Sequence, residues 1–318
     1  MLNLLIIGGT GSLGHTLVNR YLKTYNIYVY SRDENKQWHM KNHYNAPNLY
    51  FIIGDISDSE RIRSTLNSVR PTYIIVAAAL KHIDVCEYNT YSSIKTNVNG
   101  IQNIMECITN FERHELDCVL FVSTDKACSP VNVYGMCKAL SERIVIEKSL
   151  DKRTNTRFVV VRYGNVLSSR GSLLPKFHEI GKDTTKHSFP VTHKDMTRFF
   201  MNLEQSVDLI DHAMIKGLSG CIYIPNLPSY RIEDIAKIFS EKYQKPIEYT
   251  SLRPGEKMHE ELINNMEMIR TKNDGKYYVI YPPYNPPQKS IQNLTAYTSF
   301  THLSDDKNEL QKFVNDSE

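Results

Sequence analysis

Leu4-Leu5-Ile6-Ile7-Gly8-Gly9-Thr10-Gly11-Ser12-Leu13-Gly14 passes from an apolar run through a glycine-rich turn into a stretch with helical apolar spacing. Consecutive aliphatic side chains predict a strand buried on both faces, as in a parallel sheet. Gly8, Gly11 and Gly14 then suit a turn whose missing side chains let a pyrophosphate approach the unpaired amides of a helix N-terminus. A ligand-free glycine turn is the alternative, and the flanking strand and helix weigh against it. Apolar runs at 27–30, 49–53, 73–77, 118–122 and 157–161 predict further strands, with helices between them over 13–24, 59–68, 91–111 and 132–150. Alternating strands and helices make the fold class α/β, with a doubly wound parallel sheet.

Beyond residue 164 loops rich in Ser, Lys, His and Pro interrupt the pattern, with helices near 203–215 and 232–242 and strands at 221–224 and 247–250. This organisation assigns 1–165 to a cofactor-binding domain, with 200–225 returning to it. Residues 166–199 and 226–285 then form a smaller substrate lobe, and 286–318 a wrapping arm with a loose polar tail. No internal repeat is visible. The 318 residues suffice for a large core, and 38 basic against 35 acidic side chains leave a net charge of only +3. Such a balance gives no strong field for nucleic acid or an anionic membrane, so neither is expected as a partner. Six cysteines without a C-x-x-C pair argue against a zinc knuckle or disulfide framework. No metal is expected, and a reducing cytoplasm fits. No apolar stretch approaches the roughly 20 residues of a membrane span, and no basic region precedes the first apolar run, so neither export nor an anchor is expected.

The second strand ends in Tyr30-Ser31-Arg32-Asp33. Ser31 occupies the position of the acidic residue that binds an NAD ribose, and Arg32 and Lys36 suit a 2′-phosphate, so NADP is expected over NAD. The competing reading leaves Arg32 and Lys36 facing water with Asp33 on the ribose. Asp55 in Gly54-Asp55-Ile56 can accept from an adenine amino group, although a turn aspartate explains it nearly as well. Ser123-Thr124-Asp125-Lys126 follows the strand at 118–122, at the end of the sheet where ligands bind. Tyr134 and Lys138 follow one helical turn apart. An ammonium beside a phenol stabilises the phenolate, which can take a sugar hydroxyl proton while hydride leaves the same carbon, with Thr124 holding that hydroxyl. A tyrosine and a lysine at this spacing occur on many helices by chance; the glycine loop, the strand end and Thr124 together favour the catalytic reading.

Gly8 to Gly14, Tyr30-Ser31-Arg32-Asp33-Glu34, Ala78-Ala79-Leu80-Lys81-His82, Lys95-Thr96-Asn97-Val98, Ser123-Thr124-Asp125-Lys126-Ala127, Arg162-Tyr163-Gly164-Asn165-Val166 and Arg253-Pro254-Gly255-Glu256-Lys257-Met258-His259-Glu260-Glu261 together carry a family resemblance. From Leu4 to about Ile263 the chain resembles inverting UDP-N-acetylglucosamine 4,6-dehydratases, polysaccharide-biosynthesis members of the extended short-chain dehydrogenase/reductase family. Asp125-Lys126 is the distinguishing mark, because retaining nucleotide-sugar dehydratases carry Asp-Glu there and 4-epimerases neither. The resemblance implies a Rossmann-like fold with a smaller C-terminal substrate-binding lobe. It also implies a hydro-lyase that gives UDP-2-acetamido-2,6-dideoxy-β-L-arabino-hex-4-ulose, a 4-keto-6-deoxy L-sugar. Oxidation at carbon 4 acidifies the carbon 5 proton, Lys126 resembles the base that removes it, and Asp125 resembles the acid that protonates the departing carbon 6 hydroxyl. Hydride then returns to carbon 6, so the cofactor is regenerated. A solvated ion pair at a loop start is the plain reading of Asp125 and Lys126 without that context.

Residue reading and resemblance together set NADP against Gly8, Thr10, Gly11, Ser12, Leu13, Gly14, Ser31, Arg32, Lys36, Asp55, Ile56, Ala77, Ala78, Lys81, Asn97, Tyr134 and Lys138. The resemblance implies a UDP-sugar against Lys81, His82, Asn165, Arg198, Arg253 and Glu256, with Asn165, Arg198 and Arg253 toward phosphate and Glu256 toward the uridine ribose. It also implies a homo-oligomer paired through the helices at 91–111 and 132–150. Asp84, Cys86 and the polar stretch 181–188 depart from the family pattern where substrate walls are expected. Two other readings remain: a UDP-hexose 4-epimerase or 4-ketoreductase that uses Thr124, Tyr134 and Lys138 without elimination, and a non-catalytic NADP sensor.

Overall fold

The computed structural model describes residues 1–109, 116–167, 171–287 and 295–315. Strands β1 (Leu2–Ile7), β2 (Tyr25–Ser31), β3 (Leu49–Ile53), β4 (Tyr73–Val76), β5 (Cys118–Thr124) and β6 (Arg157–Tyr163) alternate with helices α1 (Ser12–Tyr21), α2 (Glu34–Tyr44), α3 (Ser59–Val69), α4 (Ile83–Tyr88), α5 (Thr90–Ile94), α6 (Gly100–Thr109) and α7 (Val133–Lys148). The second half adds β7 (Asn165–Val166), α8 (Leu173–Lys182), β8 (Phe189–Val191), β9 (Thr197–Met201), α9 (Leu203–Lys216), β10 (Ile222–Pro225), β11 (Ser229–Arg231) and α10 (Ile232–Tyr243). It closes with β12 (Ile247–Tyr249), β13 (Glu261–Ile263), α11 (Asn265–Met268), β14 (Thr271–Asn273), β15 (Tyr277–Ile280), β16 (Tyr297–Thr298) and α12 (Lys307–Asn315).

The main sheet runs β14-β15-β10-β6-β5-β4-β1-β2-β3. Every pairing from β3 across to β10 is parallel, whereas β15 and β14 close the edge antiparallel. The aliphatic runs behave as expected: Leu4 to Ile7, Ile74 to Val76, Val119 to Phe121 and Val159 to Val161 are all buried. Each such side chain contributes about 1.5–3 kcal/mol. Because β2 and β4 flank β1, the winding reverses there, and a crevice opens at the carboxyl ends of β1 and β4. A second core, built from Phe177, Phe189, Phe200, Phe239 and their neighbours, lies in a smaller lobe of α8, α10 and short strands.

Three expectations are corrected, and α2 is an element that no apolar pattern predicts. The single helix over 91–111 is instead α5, a π-helical turn at Lys95–Asn99, and α6; residues 110 and 111 lie outside the described residues. The π turn brings Asn97 inward, where its carboxamide both donates to and accepts from the Leu80 backbone at 2.8 Å. Residues 226–285 do not stay in the lobe, because β14 and β15 cross back to the main sheet. The tail is not loose throughout: α12 packs on α10, with Leu310 and Val314 in the lobe core. Residues 288–294 and 316–318 of that arm lie outside the described residues. Finally, α2 carries no apolar stripe to betray it; Trp38 is exposed and only Gln37 and Met40 are buried.

The turn after β1 fits only glycine at two points. Gly8 sits at φ +87°, and a Cβ there would lie 2.5 Å from Ala78 N. A Cβ on Gly14 would lie 1.8 Å from the Gly9 carbonyl oxygen. Overpacking of this kind costs about 1–3 kcal/mol, so Gly14→Ala is expected to lower stability by that order and to weaken binding of the expected dinucleotide. Thermal melting with and without a nicotinamide dinucleotide checks both effects.

Candidate active site

One cleft of about 1040 Å³ spans the crevice and the face of the smaller lobe. Its sheet side is lined by Gly8, Thr10, Gly11, Ser12, Leu13 and Gly14, and by Ser31, Arg32, Lys36, Ile56, Ala77 and Ala78. Gly11 is the N-cap of helix α1, which no side chain caps, and the start of the helix faces the cleft through Gly11 and Gly14. Ser31 is held by Gln37, whose Nε2 donates to Ser31 Oγ at 2.9 Å. Asp33 is engaged as the N-cap of α2 and as a 2.6 Å partner of Lys36. Arg32 reaches Asp55 only loosely, at 3.5 Å. Asp55 itself does not line the cleft; it accepts from Ser57 N at 2.8 Å. Asn97 is also outside the lining and acts through Leu80.

The end of β5 and the start of α7 bring the reactive side chains together. Asn132 caps α7 by accepting from Gly135 N at 2.7 Å, and its Nδ2 donates to Gly255 O at 2.8 Å. Val133 N donates to Glu87 at 2.6 Å. These bonds fix the helix from which Tyr134 and Lys138 line the cleft beside Thr124 and Lys126. Burial pushes the Tyr134 phenol up to about 12, against the pull of the Lys126 ammonium. Burial pushes Lys138 down to about 7, opposed by Glu142. Lys138 Nζ donates to Val122 O at 2.5 Å and lies 3.8 Å from the Phe121 ring centre.

The lowered value makes charged Lys138 a cost to the fold. That cost is complete below about pH 7 and fades toward the ordinary lysine value of 10.5, because only the unfolded chain holds the proton between them. Lys138→Met is therefore expected to stabilise the protein without cofactor, most below about pH 7, while ending turnover; melting curves across pH test the sign.

Lys126 Nζ lies 3.0 Å from Asp125 Oδ1, 3.4 Å from Asn165 Oδ1 and 3.6 Å from Glu260 Oε1. Burial alone would lower its pKa, but the Asp125 and Glu260 carboxylates outweigh burial and hold it above the usual lysine range. The acid role expected of Asp125 meets an obstacle. Its side chain is fully buried and does not line the cleft; Oδ1 accepts from Thr124 Oγ1 at 2.8 Å and from Lys126. Asp125 is thus placed to orient Thr124 and Lys126.

Lys81, His82, Asn165, Arg198, Arg253 and Glu256 all line the same cleft. Arg198 uses Nη1 and Nη2 on the Thr197, Lys257 and Met258 carbonyls. Arg253 pairs with Glu256 at 2.8 Å. Of the departures, Cys86 does line the cleft, whereas Asp84 and 181–188 do not. The polar stretch instead meets the end of α10, where a Cβ on Gly181 would lie 2.5 Å from the Tyr243 ring, and Lys245 Nζ, just beyond the helix, donates to the Asp183 carbonyl.

A family model described as polysaccharide biosynthesis protein matches residues 4–282, beyond the expected limit near Ile263. The chain belongs to the polysaccharide biosynthesis protein family. Among its relatives, the inverting UDP-N-acetylglucosamine 4,6-dehydratase of Campylobacter jejuni is 39% identical over 284 residues, covering 88% of this chain and 83% of that protein. A UDP-glucose 4-epimerase of Rickettsia bellii is 38% identical over 288 residues, covering 87% and 82%. The crystal structure of Pen from Bacillus thuringiensis matches with a TM-score of 0.91 at 30% identity, covering 99% of this chain and 97% of that one.

In this member of the polysaccharide biosynthesis family, sequence reading passed over two groups. Glu260 lines the cleft yet is only 3% exposed, and pairs with both Lys126 and Arg198. Behind the β5 end, Arg162 bridges Glu142 at 2.6 Å and Glu267 at 2.8 Å, and Glu142 accepts from Ser123 Oγ at 2.6 Å. Glu260 and Arg162 stand inside motifs of the resemblance, whereas Glu142 and Glu267 lie outside them, and in both groups the pairing is made only across the fold. Among the described residues no His/Cys/Asp/Glu group suits a metal ion, and no helix is long and apolar enough to cross a membrane.

Proposed function

We propose that this chain is an NADP-dependent UDP-N-acetylglucosamine 4,6-dehydratase that inverts carbon 5. The observation that carries this reading is Lys126, a lysine held between two carboxylates beside Thr124 and Tyr134 in the cleft that also holds the glycine turn. A 4-epimerase has no use for such a base. The glycine turn and the uncapped start of α1 fit a dinucleotide pyrophosphate. Arg32 and Lys36 beside a neutral Ser31, with Asp33 occupied as a cap, favour a 2′-phosphate and hence NADP over NAD.

The bound nicotinamide would supply reversible hydride acceptance from carbon 4 and its return to carbon 6. Tyr134 takes the carbon 4 hydroxyl proton, with Lys138 stabilising the phenolate and Thr124 orienting the hydroxyl. Lys126, once its resting proton has passed to a neighbouring carboxylate, removes the carbon 5 proton, that carboxyl returns its proton to the departing carbon 6 oxygen so that water leaves, and Asp125 keeps Thr124 and Lys126 aligned. Lys81, His82, Asn165, Arg198, Arg253 and Glu256 form the UDP-sugar side of the cleft, which makes the smaller lobe the substrate lobe. The Campylobacter relative's name supports this substrate. The Rickettsia relative's name favours a second reading, 4-epimerisation without elimination. Mass spectrometry after incubation with UDP-N-acetylglucosamine and NADP separates them: the first predicts loss of one water, the second an unchanged mass.

The reaction is expected in the cytoplasm, where nucleotide sugars are handled and the six free, buried cysteines stay reduced. Tyr88, Tyr91 and Ile94 on α4 and α5, with Met136 and Leu140 on α7, expose apolar surface that a second copy of the chain would cover. Light scattering is expected to give a dimer or higher oligomer; a monomer contradicts that pairing.

A further inference from the structure

Behind the end of β5 lies a buried ion cluster that no step of the proposed reaction touches. Glu142 Oε1 accepts from Ser123 Oγ at 2.6 Å and from Arg162 Nε at 2.9 Å, and Oε2 accepts from Arg162 Nη2 at 2.6 Å. Arg162 spends its remaining donors on Glu267 and on the Leu262 carbonyl. Glu142, Arg162 and Glu267 are all buried. Apolar side chains in place of such a cluster are often no less stable, so its presence points to a use other than stability.

Helix α7 connects the cluster to the reacting groups. Tyr134, Lys138 and Glu142 recur at every fourth residue and share one face of the helix. The first two line the cleft and Glu142 ends the row outside it. On β5, Lys138 meets only the Phe121 ring and the Val122 carbonyl, neither of them charged. On the elements around α7, Lys126, Asp125 and Cys86 act on Tyr134, Tyr134 acts on Tyr163, Arg162 pairs with Glu142, and Arg270 faces Glu267. The charge that acts on Lys138 is Glu142.

Resting on the proton transfer proposed for Tyr134 and Lys138, we infer that Glu142 is a positioning residue for carbon 4 oxidation, a fixed buried carboxylate that keeps an ammonium, not an amine, beside Tyr134. An amine gives a phenolate no countercharge. Burial drives Lys138 toward the amine, down to about 7, and Glu142 opposes that loss. Arg162 and Ser123 fix the carboxylate. Ser123 directly precedes Thr124, so the same contact steadies the residue that orients the sugar hydroxyl.

Glu142→Gln keeps the side chain's shape and removes its charge. Hydride transfer is read as single-turnover NADPH absorbance with UDP-N-acetylglucosamine and NADP, at pH values on both sides of the Lys138 value of about 7. Well below it, Lys138 is charged in both proteins and the two rates should agree. Above it, the variant should fall behind by about tenfold or more, because each unit by which Lys138 is lowered divides its ammonium fraction by about ten. A loss of equal size at every pH, as a merely structural role would give, or no loss at all, overturns the assignment while leaving the reading of Tyr134 intact. Absence of hydride transfer in wild type removes that reading and this assignment with it. Should Glu142→Gln not fold, Glu142→Leu combined with Arg162→Met removes the buried pair together and carries the same comparison across pH.

Discussion

Tyr134→Phe is expected to reduce turnover by between about a hundred- and ten-thousand-fold, the range spanned by a positioned proton-transfer group. The loss should lie in kcat, with substrate and NADP binding retained. Phenylalanine keeps the ring in its buried place at the start of α7, where Asn132 and Glu87 hold the backbone. What disappears is the one hydroxyl whose deprotonation starts carbon 4 oxidation, so no NADPH should accumulate even in a single turnover. A non-catalytic NADP sensor would be indifferent to the substitution, and normal turnover by Tyr134→Phe would remove the proposed mechanism.

Lys126→Met should have a comparable effect on product formation, about a hundredfold or more, but at a different step. Tyr134, Thr124 and Lys138 remain, so carbon 4 oxidation is expected to continue and NADPH to build up. Carbon 5 exchange with solvent deuterium and methyl formation should both stop. The substitution also strips Asp125 and Glu260 of their shared cation. Breaking a buried ion pair costs about 3–5 kcal/mol, and a lowered melting temperature is expected alongside. Single-turnover absorbance and carbon 5 exchange read the two steps separately. Unchanged methyl formation would show that Lys126 is not the base.

The parts of the molecule legible in the sequence are those encoded over short spans. The run from Leu4 to Gly14 specifies a strand, a turn and a helix start within one stretch, and the cofactor crevice follows from the winding of the sheet. Tyr134 and Lys138 are one turn apart on one helix, so spacing alone put them on one face. Contacts made across long separations were hidden. Glu260 meets Lys126 only because the strand β13 segment folds back over the end of β5, and nothing local to residue 260 announces it. The depth of Asp125 was invisible for the same reason: its neighbours in sequence line the cleft, yet its own side chain turns inward. Helix α2 escaped notice because it packs through Gln37 and Met40 with no apolar stripe. Helix α12 escaped because Leu310 and Val314 are sparse apolar residues in a polar end whose partner, α10, lies far upstream.

Proton NMR of the purified protein with UDP-N-acetylglucosamine and NADP in deuterated water tests the central claim most directly. A new carbon 6 methyl signal, with deuterium at carbon 5 and couplings of the inverted sugar, is the predicted result. Slow conversion to the galacto isomer with no methyl signal would contradict the account and make the chain a 4-epimerase.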